Sequence, residues 1–266
     1  MVIDFHTHIF PEKLATKAYE TLSVPARTAG YAPIHNLTKE GLLGKMDEYG
    51  VDLSVVCPVA TKPTQSQKNL EWGITLRSER LTCLAGLFPD VENWKKNVDD
   101  AVSMGYKGIK LHPEYQNFIV DDENMFPLYE YAFSKDLFIL FHAGYDPIGE
   151  EPFKSNPQKF ARLAEEFKGA RMVIAHLGGQ SQWDDVEKYL VGKDVYLDTA
   201  MGFGFFSKEQ FLRILSAHGS DKILFGSDSP WSNTGRELLA LRSLPIDDEE
   251  KENILCKNAK KLLDIL

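Results

Sequence analysis

Seven histidines are distributed along the 266-residue chain, and five of them come at the ends of short apolar runs that predict β-strands. These five are His6, His8, His112, His142 and His176. Histidine is the commonest metal ligand in proteins and a frequent acid–base catalyst. Five such side chains at strand ends therefore indicate a metal or acid–base site rather than five unrelated hydrogen bonds.

The first two of these histidines form the motif His6-Thr7-His8. Side chains alternate along a strand, so positions i and i+2 point to the same side and can bind one ion. Asp4 lies on the same face, one step deeper. The motif alone is also compatible with two partly buried histidines that make ordinary hydrogen bonds.

The last predicted strand ends at Phe225 and is followed by Gly226, Ser227 and Asp228. A carboxylate at this position can bind a metal through one oxygen and accept a proton from metal-bound water through the other. The alternative is an aspartate that opens a turn before Pro230.

The elements that must position these side chains repeat about every 25–35 residues, the size of a βα unit. The eight apolar runs lie at residues 2–8, 53–58, 82–88, 108–112, 137–142, 171–176, 195–199 and 222–225. Helical spacing between them predicts one (β/α)8 TIM barrel over residues 1–266, whose catalytic groups lie at the carboxyl ends of the strands. An open doubly wound sheet is the alternative, but no G-x-G-x-x-G follows an early strand. Residues 9–37 form a long insertion, with a short helix predicted at 13–22, and are expected to act as a lid or substrate loop.

Composition excludes several classes of function. The chain has 30 Lys+Arg and 39 Asp+Glu, a net charge of −9, which disfavours nucleic-acid and membrane partners. Three unpaired cysteines and the lack of a leader-like or membrane-spanning apolar segment predict a cytoplasmic protein.

Three motifs now carry a resemblance to a known family: Asp-Phe-His-Thr-His at 4–8, Ala-His-Leu-Gly-Gly at 175–179 and Phe-Gly-Ser-Asp-Ser-Pro-Trp at 225–231. Their order resembles the amidohydrolase superfamily, most closely the amidohydrolase-related (amidohydrolase 2) branch. That branch includes aminocarboxymuconate-semialdehyde decarboxylase, γ-resorcylate decarboxylase and lactone hydrolases. The resemblance covers nearly the whole chain.

The resemblance implies one divalent metal ion held by His6, His8, His142 and Asp228, with zinc preferred and Mn²⁺, Fe²⁺ or Co²⁺ compatible with the ligand types. His176 is then expected to contact the substrate or metal-bound water. Binuclear members carry a carboxylated lysine or a glutamate at the fourth strand, where this chain has Lys110 and His112. We expect His112 near the substrate and Lys110 in an internal salt bridge, and a second ion near these two residues stays an open alternative.

The predicted activity is hydrolysis of an amide, lactone or similar acyl bond in a small carboxylated molecule by metal-activated water. Asp228 is the expected base, and His176 is expected to stabilise the oxyanion. Trp231 is a candidate wall of the substrate pocket, and Arg27 in the insertion is a candidate partner for a substrate carboxylate.

Three other functions remain open. Non-oxidative decarboxylation or hydration of an unsaturated or aromatic acid would use the same site. A TatD-like phosphodiesterase shares the first histidine motif and the final aspartate, but the acidic charge counts against it. A non-catalytic metal-binding barrel would be favoured by a missing ligand, and none is missing. The resemblance is also compatible with a homodimer.

Overall fold

The computed structural model describes residues 1–89 and 92–265, and its β-strands are all parallel within that part of the chain. Their bounds are β1 Ile3–Thr7, β2 Leu53–Val56, β3 Leu81–Cys83, β4 Ala85–Gly86, β5 Gly108–Leu111, β6 Phe138–Phe141, β7 Met172–Ile174, β8 Tyr196–Asp198 and β9 Ile223–Leu224. β3 and β4 are two segments of one barrel strand, interrupted at Leu84, whose amide donates to the carbonyl of Val56 at 2.9 Å. Seven of the eight predicted runs contain one barrel strand each, and the run at 82–88 overlaps the remaining strand, which begins one residue earlier, at Leu81.

Hydrogen bonds between the first and last strands close the barrel. Pairing runs β1-β2-β3 and then β4-β5-β6-β7-β8-β9. The amide of Phe5 donates to the carbonyl of Phe225 at 2.8 Å, and the amide of Asp228 donates to the carbonyl of His6 at 2.9 Å. The predicted (β/α)8 barrel is therefore confirmed.

Helices separate the strands and cover the outside of the barrel. Their bounds are α1 Glu12–Thr28, α2 Lys39–Tyr49, α3 Ser66–Ile74, α4 Trp94–Ser103, α5 Pro113–Gln116, α6 Phe126–Ser134, α7 Pro157–Glu166, α8 Trp183–Asp185, α9 Lys208–His218, α10 Thr234–Arg242, α11 Asp248–Glu252 and α12 Asn258–Leu263. Local signals fix the ends of α2: the hydroxyl of Thr38 accepts from the amide of Gly41, and Gly50 takes the left-handed conformation with φ of 71°. No helix in the described residues combines the length and the apolar character needed to cross a bilayer.

The insertion after β1 contains a longer helix than the sequence predicts. α1 runs over Glu12–Thr28 and continues through Pro25, whereas the predicted helix ended at residue 22. Ala15, Ser23 and Ala26 form the buried face of α1. Pro25 has no backbone N–H, so α1 continues past it with one helical hydrogen bond fewer.

The core has two layers, one inside the barrel and one between the strands and the helices. Phe5, Phe138 and Leu140 belong to the inner layer, which also packs against Leu262 of α12. Gly108 leaves room for the ring of Phe138, because a Cβ at this position would overlap that ring. Lys110 is also fully buried, at 1% exposure, and lies on the same strand face as Gly108 and His112.

Candidate functional site

Two histidines and an aspartate meet where β1 and β9 end. Nε2 of His8 lies 3.0 Å from Oδ1 of Asp228, and Nε2 of His6 lies 3.6 Å from the same oxygen. One ligand atom from each of the three residues falls within 4.8 Å of the other two. His6 and Asp228 are buried and His8 is half-buried, so the group is screened from bulk solvent on most sides.

Asp198 at the end of β8 fixes the orientation of His6. Its Oδ2 accepts the Nδ1–H of His6 at 2.8 Å, and its Oδ1 accepts the backbone amides of His176 at 2.9 Å and Ala200 at 3.0 Å. A proton held on Nδ1 leaves a lone pair on Nε2 of His6. The carboxylate thus sets the tautomer that a metal ligand needs.

A chain of hydrogen bonds sets the tautomer of His142 in the same way. Nδ1 of His176 lies 3.0 Å from the carbonyl of Ala200, which can only accept, so Nδ1 carries the proton and Nε2 becomes an acceptor. Nδ1 of His142 donates to that Nε2 at 3.1 Å. Nε2 of His142 therefore carries a lone pair, and this nitrogen is buried without a hydrogen-bond partner in the described residues. A buried unpaired nitrogen of this kind is suited to bind a metal ion.

His112 has the opposite tautomer. Its Nδ1 accepts the amide of Tyr115 at 3.4 Å, so its proton lies on Nε2, which points at Oδ2 of Asp146 at 3.4 Å. The ring stacks on His142 with centroids 4.0 Å apart. Ligand atoms of His112, His142 and Asp146 also fall within 4.8 Å of one another. Because Nε2 of His112 carries a proton, this group presents a hydrogen-bond donor rather than three metal ligands.

Lys110 does not form the salt bridge that the sequence predicts. Its Nζ lies 3.3 Å from Nε2 of His6, and no carboxylate in the described residues lies within ion-pair distance of it. Asp198, the strand-end acid on the neighbouring side of His6, is already occupied by an imidazole and two backbone amides. Burial lowers the pKa of Lys110, although Cys57, Asp198 and other acids oppose that shift.

The electrostatics of the site favour the ionised form of Asp228. Burial alone would raise the pKa of Asp228, but the hydrogen bond from His8 and the charges of His6 and His8 bring it below its ordinary value. Burial lowers the pKa of His6 and His142, and Lys110 adds to the shift at His6. Burial also raises the pKa of Asp4 to about 7, despite two hydrogen bonds from Ser227.

The backbone is strained at two of the candidate functional residues. His176 has φ of 58° and Asp228 has φ of 62°, in the left-handed region that disfavours side chains with a Cβ. Each such residue costs on the order of 1–2 kcal/mol, and strain of this kind concentrates at functional sites.

The remaining predicted site residues lie at the rim or outside it. The amide of Trp231 donates to the carbonyl of Asp228 at 2.8 Å, and its side chain is half-buried. Arg27 lies in the last turn of α1 and is exposed, and no hydrogen bond or ion pair in the described chain joins it to the histidines. The structure therefore does not bring Arg27 together with the other candidates.

Three polar residues near the site were not found from the sequence. Asp146 follows His142 by four positions and is 9% exposed, but it lies in a loop rather than at a strand end. Tyr31 reaches the site from the insertion, and Gln180 is buried beyond the glycines that follow His176. The glycine-rich segments after β6 and β7 were the only signal that could have located Asp146 and Gln180.

Comparison with known proteins now defines the class. The amidohydrolase family model matches residues 3–265, so the chain belongs to this family. No curated protein matches the chain significantly.

Similar solved structures share the fold at low sequence identity. An uncharacterized TIM-barrel protein from Bordetella bronchiseptica is 18% identical, with a TM-score of 0.78 over 99% of this chain and 98% of that chain. A 5-carboxyvanillate decarboxylase from Novosphingobium aromaticivorans, complexed with manganese and 4-hydroxy-3-methoxy-5-nitrobenzoic acid, is 13% identical, with a TM-score of 0.74 over 100% and 96%. A probable 2-pyrone-4,6-dicarboxylic acid hydrolase from Acinetobacter baumannii, with citric acid bound, is 18% identical, with a TM-score of 0.68 over 99% of each chain. The similar structures thus include both decarboxylases and a hydrolase.

Proposed function

We propose that this protein is a metal-dependent hydrolase that cleaves an amide, lactone or similar acyl bond in a small carboxylated molecule. The observation that carries the proposal is the meeting of His6, His8 and Asp228 where β1 and β9 end, with Nε2 of His8 3.0 Å from Oδ1 of Asp228. A carboxylate at such a centre can accept the proton that an attacking water gives up in the transition state.

Three of the four expected ligands, His6, His8 and Asp228, lie close enough to share one divalent ion, whereas His142 groups within the same distance with His112 and Asp146. Nε2 of His6 and of His142 each present a lone pair, the latter without a partner in the described residues. Nε2 of His8, which donates to Asp228 at 3.0 Å, would bind an ion after its proton moves to Nδ1. We propose that these three nitrogens and Asp228 hold the ion, and three nitrogens with one carboxylate suit zinc. A bound ion would supply Lewis acidity, which polarises a carbonyl and acidifies water.

The chain's own residues then have distinct tasks. Asp228 takes the proton of the attacking water and later delivers it to the leaving group. Asp198 and His176 act through the neighbouring histidines, because they keep the protons on Nδ1 of His6 and of His142. The proposed contact of His176 with substrate requires its hydrogen bond to His142 to open. His112 presents its Nε2–H to a substrate oxygen when it leaves Asp146.

Decarboxylation of an aromatic or unsaturated acid is the second candidate. It is favoured by the neighbour that binds manganese and a nitrobenzoic acid, and by the buried Lys110, which places a cationic group beside the site. An assay with separate readouts distinguishes the two functions. Small lactones, amides and carboxylated aromatic acids are offered to the zinc- and manganese-loaded protein, with ring opening, ammonia and CO₂ measured independently. Release of CO₂ with no hydrolysis in the whole panel would favour the decarboxylase.

A further inference from the structure

The turn after β7 holds two consecutive residues in a conformation that their side chains disfavour. His176 has φ of 58° and Leu177 has φ of 53°, so both lie in the left-handed region although neither is glycine. Residues with a Cβ stay in this region only where contacts with the rest of the protein hold them there. The contacts around the peptide that joins His176 to Leu177 therefore control where the imidazole of His176 lies.

Two side chains hold the backbone of His176 from its two sides. The amide of His176 donates to Oδ1 of Asp198 at 2.9 Å. The carbonyl of His176 accepts the indole Nε1–H of Trp183 at 3.0 Å, in addition to the amide of Gly179 at 3.1 Å within the same turn. Asp198 thus fixes the peptide before His176, and Trp183 fixes the peptide after it.

Packing sets the position of the indole of Trp183. Its side chain is buried, and its ring meets the ring of Phe206 edge-on, with centroids 5.3 Å apart. The helical segment 183–190 also packs directly against the turn, because a Cβ on Gly178 would lie 2.8 Å from Cδ2 of Leu190. The N–H of Trp183 is therefore already in place to receive the strained carbonyl.

The imidazole of His176 connects this turn to the proposed metal site. Its Nδ1 donates to the carbonyl of Ala200 at 3.0 Å, and its Nε2 accepts the Nδ1–H of His142 at 3.1 Å. Both hydrogen bonds need the ring to stay where the left-handed backbone places it. If the peptide after His176 relaxed, the proton of His142 would no longer be held on Nδ1, and the lone pair on Nε2 would be lost in part of the molecules.

We infer that Trp183 is a positioning residue of this centre: its indole N–H holds the left-handed backbone of His176 and so keeps the lone pair of His142 free for a metal ion. The inference rests on the proposed function, because it takes His142 as a ligand of the proposed ion. Trp183 acts through the imidazole of His176. The effect of removing the indole N–H must therefore depend on whether that imidazole is present.

A double-mutant cycle tests this dependence through zinc affinity, which is measured by competition with a chelator and needs no turnover. Trp183→Phe keeps an aromatic ring beside Phe206 but removes the donor, and it should lower zinc affinity about tenfold. In the His176→Ala background the same substitution should have no further effect, since the side chain through which it acts is gone. Trp94→Phe, at a half-buried tryptophan of α4 whose ring meets Tyr131 edge-on, is the matched control and should leave zinc affinity unchanged.

Replacement of Trp183 by 3-benzothienylalanine repeats the measurement with a ring of nearly the same shape that has sulfur in place of the N–H. It keeps the test available if Trp183→Phe does not fold. Long-range ¹H–¹⁵N spectra of the metal-free protein then report the tautomer of His142 directly. Wild-type protein should carry this proton on Nδ1, and both Trp183 variants should show a second population that carries it on Nε2.

Wild-type zinc affinity in both Trp183 variants, or an unchanged tautomer of His142, would overturn the inference. An equal loss of zinc affinity in the wild-type and His176→Ala backgrounds would also overturn it, because Trp183 would then act on the fold and not through His176. These outcomes leave the proposed function standing, since the wild-type protein still binds zinc. Failure of wild-type protein to bind zinc would instead contradict the proposed metal site, and the tautomer of His142 in the metal-free protein would still decide the role of Trp183.

Discussion

Asp198→Asn should change metal affinity with less disturbance of the fold than substitution of any proposed metal ligand. Asparagine has nearly the same shape, and its Oδ1 can still accept the backbone amides of His176 and Ala200. Its Nδ2 group would then face Nδ1 of His6, which in the wild-type protein donates its proton to the carboxylate oxygen at 2.8 Å. Two donors cannot share that contact, so the proton of His6 moves to Nε2 and removes the lone pair needed for a metal.

The expected loss of metal affinity follows from the hydrogen bond that His6 loses. His6 must give up a charge-assisted hydrogen bond and must change its tautomer before it can bind the ion. Loss of such a supporting contact typically lowers metal affinity on the order of 10–100-fold, which corresponds to about 1.4–2.7 kcal/mol. The free energy of unfolding of the metal-free protein should fall by about 1 kcal/mol, because the buried Nζ of Lys110 loses the acceptor that Nε2 of His6 provides.

Competition with a zinc chelator of known affinity measures the effect, and urea unfolding of the metal-free protein measures stability. Asp194→Asn is the control, since Asp194 is 62% exposed and forms an ion pair with Lys222 at the surface. Wild-type zinc affinity in Asp198→Asn would refute the tautomer argument. An affinity loss accompanied by an equal loss of metal-free stability would show that Asp198 supports the fold instead.

Three further predictions concern the histidines and the core. His142→Ala should release the metal, whereas His176→Ala removes only the acceptor of Nδ1–H of His142, so it should lower metal affinity by about 10–100-fold and still bind the ion at saturating concentration. The metal-loaded His176→Ala variant should lose activity on the order of 10²–10⁴-fold; equal release from both variants in metal analysis would make His176 a ligand. Gly108→Ala places a Cβ against the buried ring of Phe138 and should lower the free energy of unfolding by about 1–3 kcal/mol, whereas Gly44→Ala, in open space, should not destabilise. Burial lowers the pKa of His112 in the folded protein, so the unfolded chain binds the extra proton and stability is lost as pH falls below the unfolded value of about 6.5. His112→Asn should reduce that slope by up to about 1.4 kcal/mol per pH unit in the metal-free protein, and an unchanged slope in urea unfolding would contradict the burial of a neutral imidazole.

The sequence predicted the barrel and the strand-end residues because both follow from local patterns. Alternation places His6 and His8 on one face, and closure of a parallel barrel brings the end of β9 beside the end of β1. The contact between Asp228 and His8 at 3.0 Å is the direct result of that closure. The sequence pattern around these residues is consistent with this contact throughout.

The parts of the site that the sequence did not predict depend on contacts between distant segments of the chain. Which ring nitrogen of each histidine carries the proton depends on partners such as Asp198, which is 192 positions away from His6. Asp146 and Tyr31 lie in loops, whose paths no periodicity encodes. Lys110 was expected to form a salt bridge with a strand-end acid. Asp198 instead accepts hydrogen bonds from His6 and from two backbone amides, and residue spacing does not reveal these contacts.

Solvent-oxygen labelling tests the central claim, that Asp228 at this centre serves hydrolysis. The metal-loaded protein is incubated in ¹⁸O-water with each lactone, amide and aromatic acid of the panel, and the products are analysed by mass spectrometry. The account predicts that one labelled oxygen enters a newly formed carboxylate, and that Asp228→Asn retains the fold and much of the metal but loses this incorporation by orders of magnitude. Unlabelled product with release of CO₂, or equal incorporation by wild type and Asp228→Asn, would contradict it.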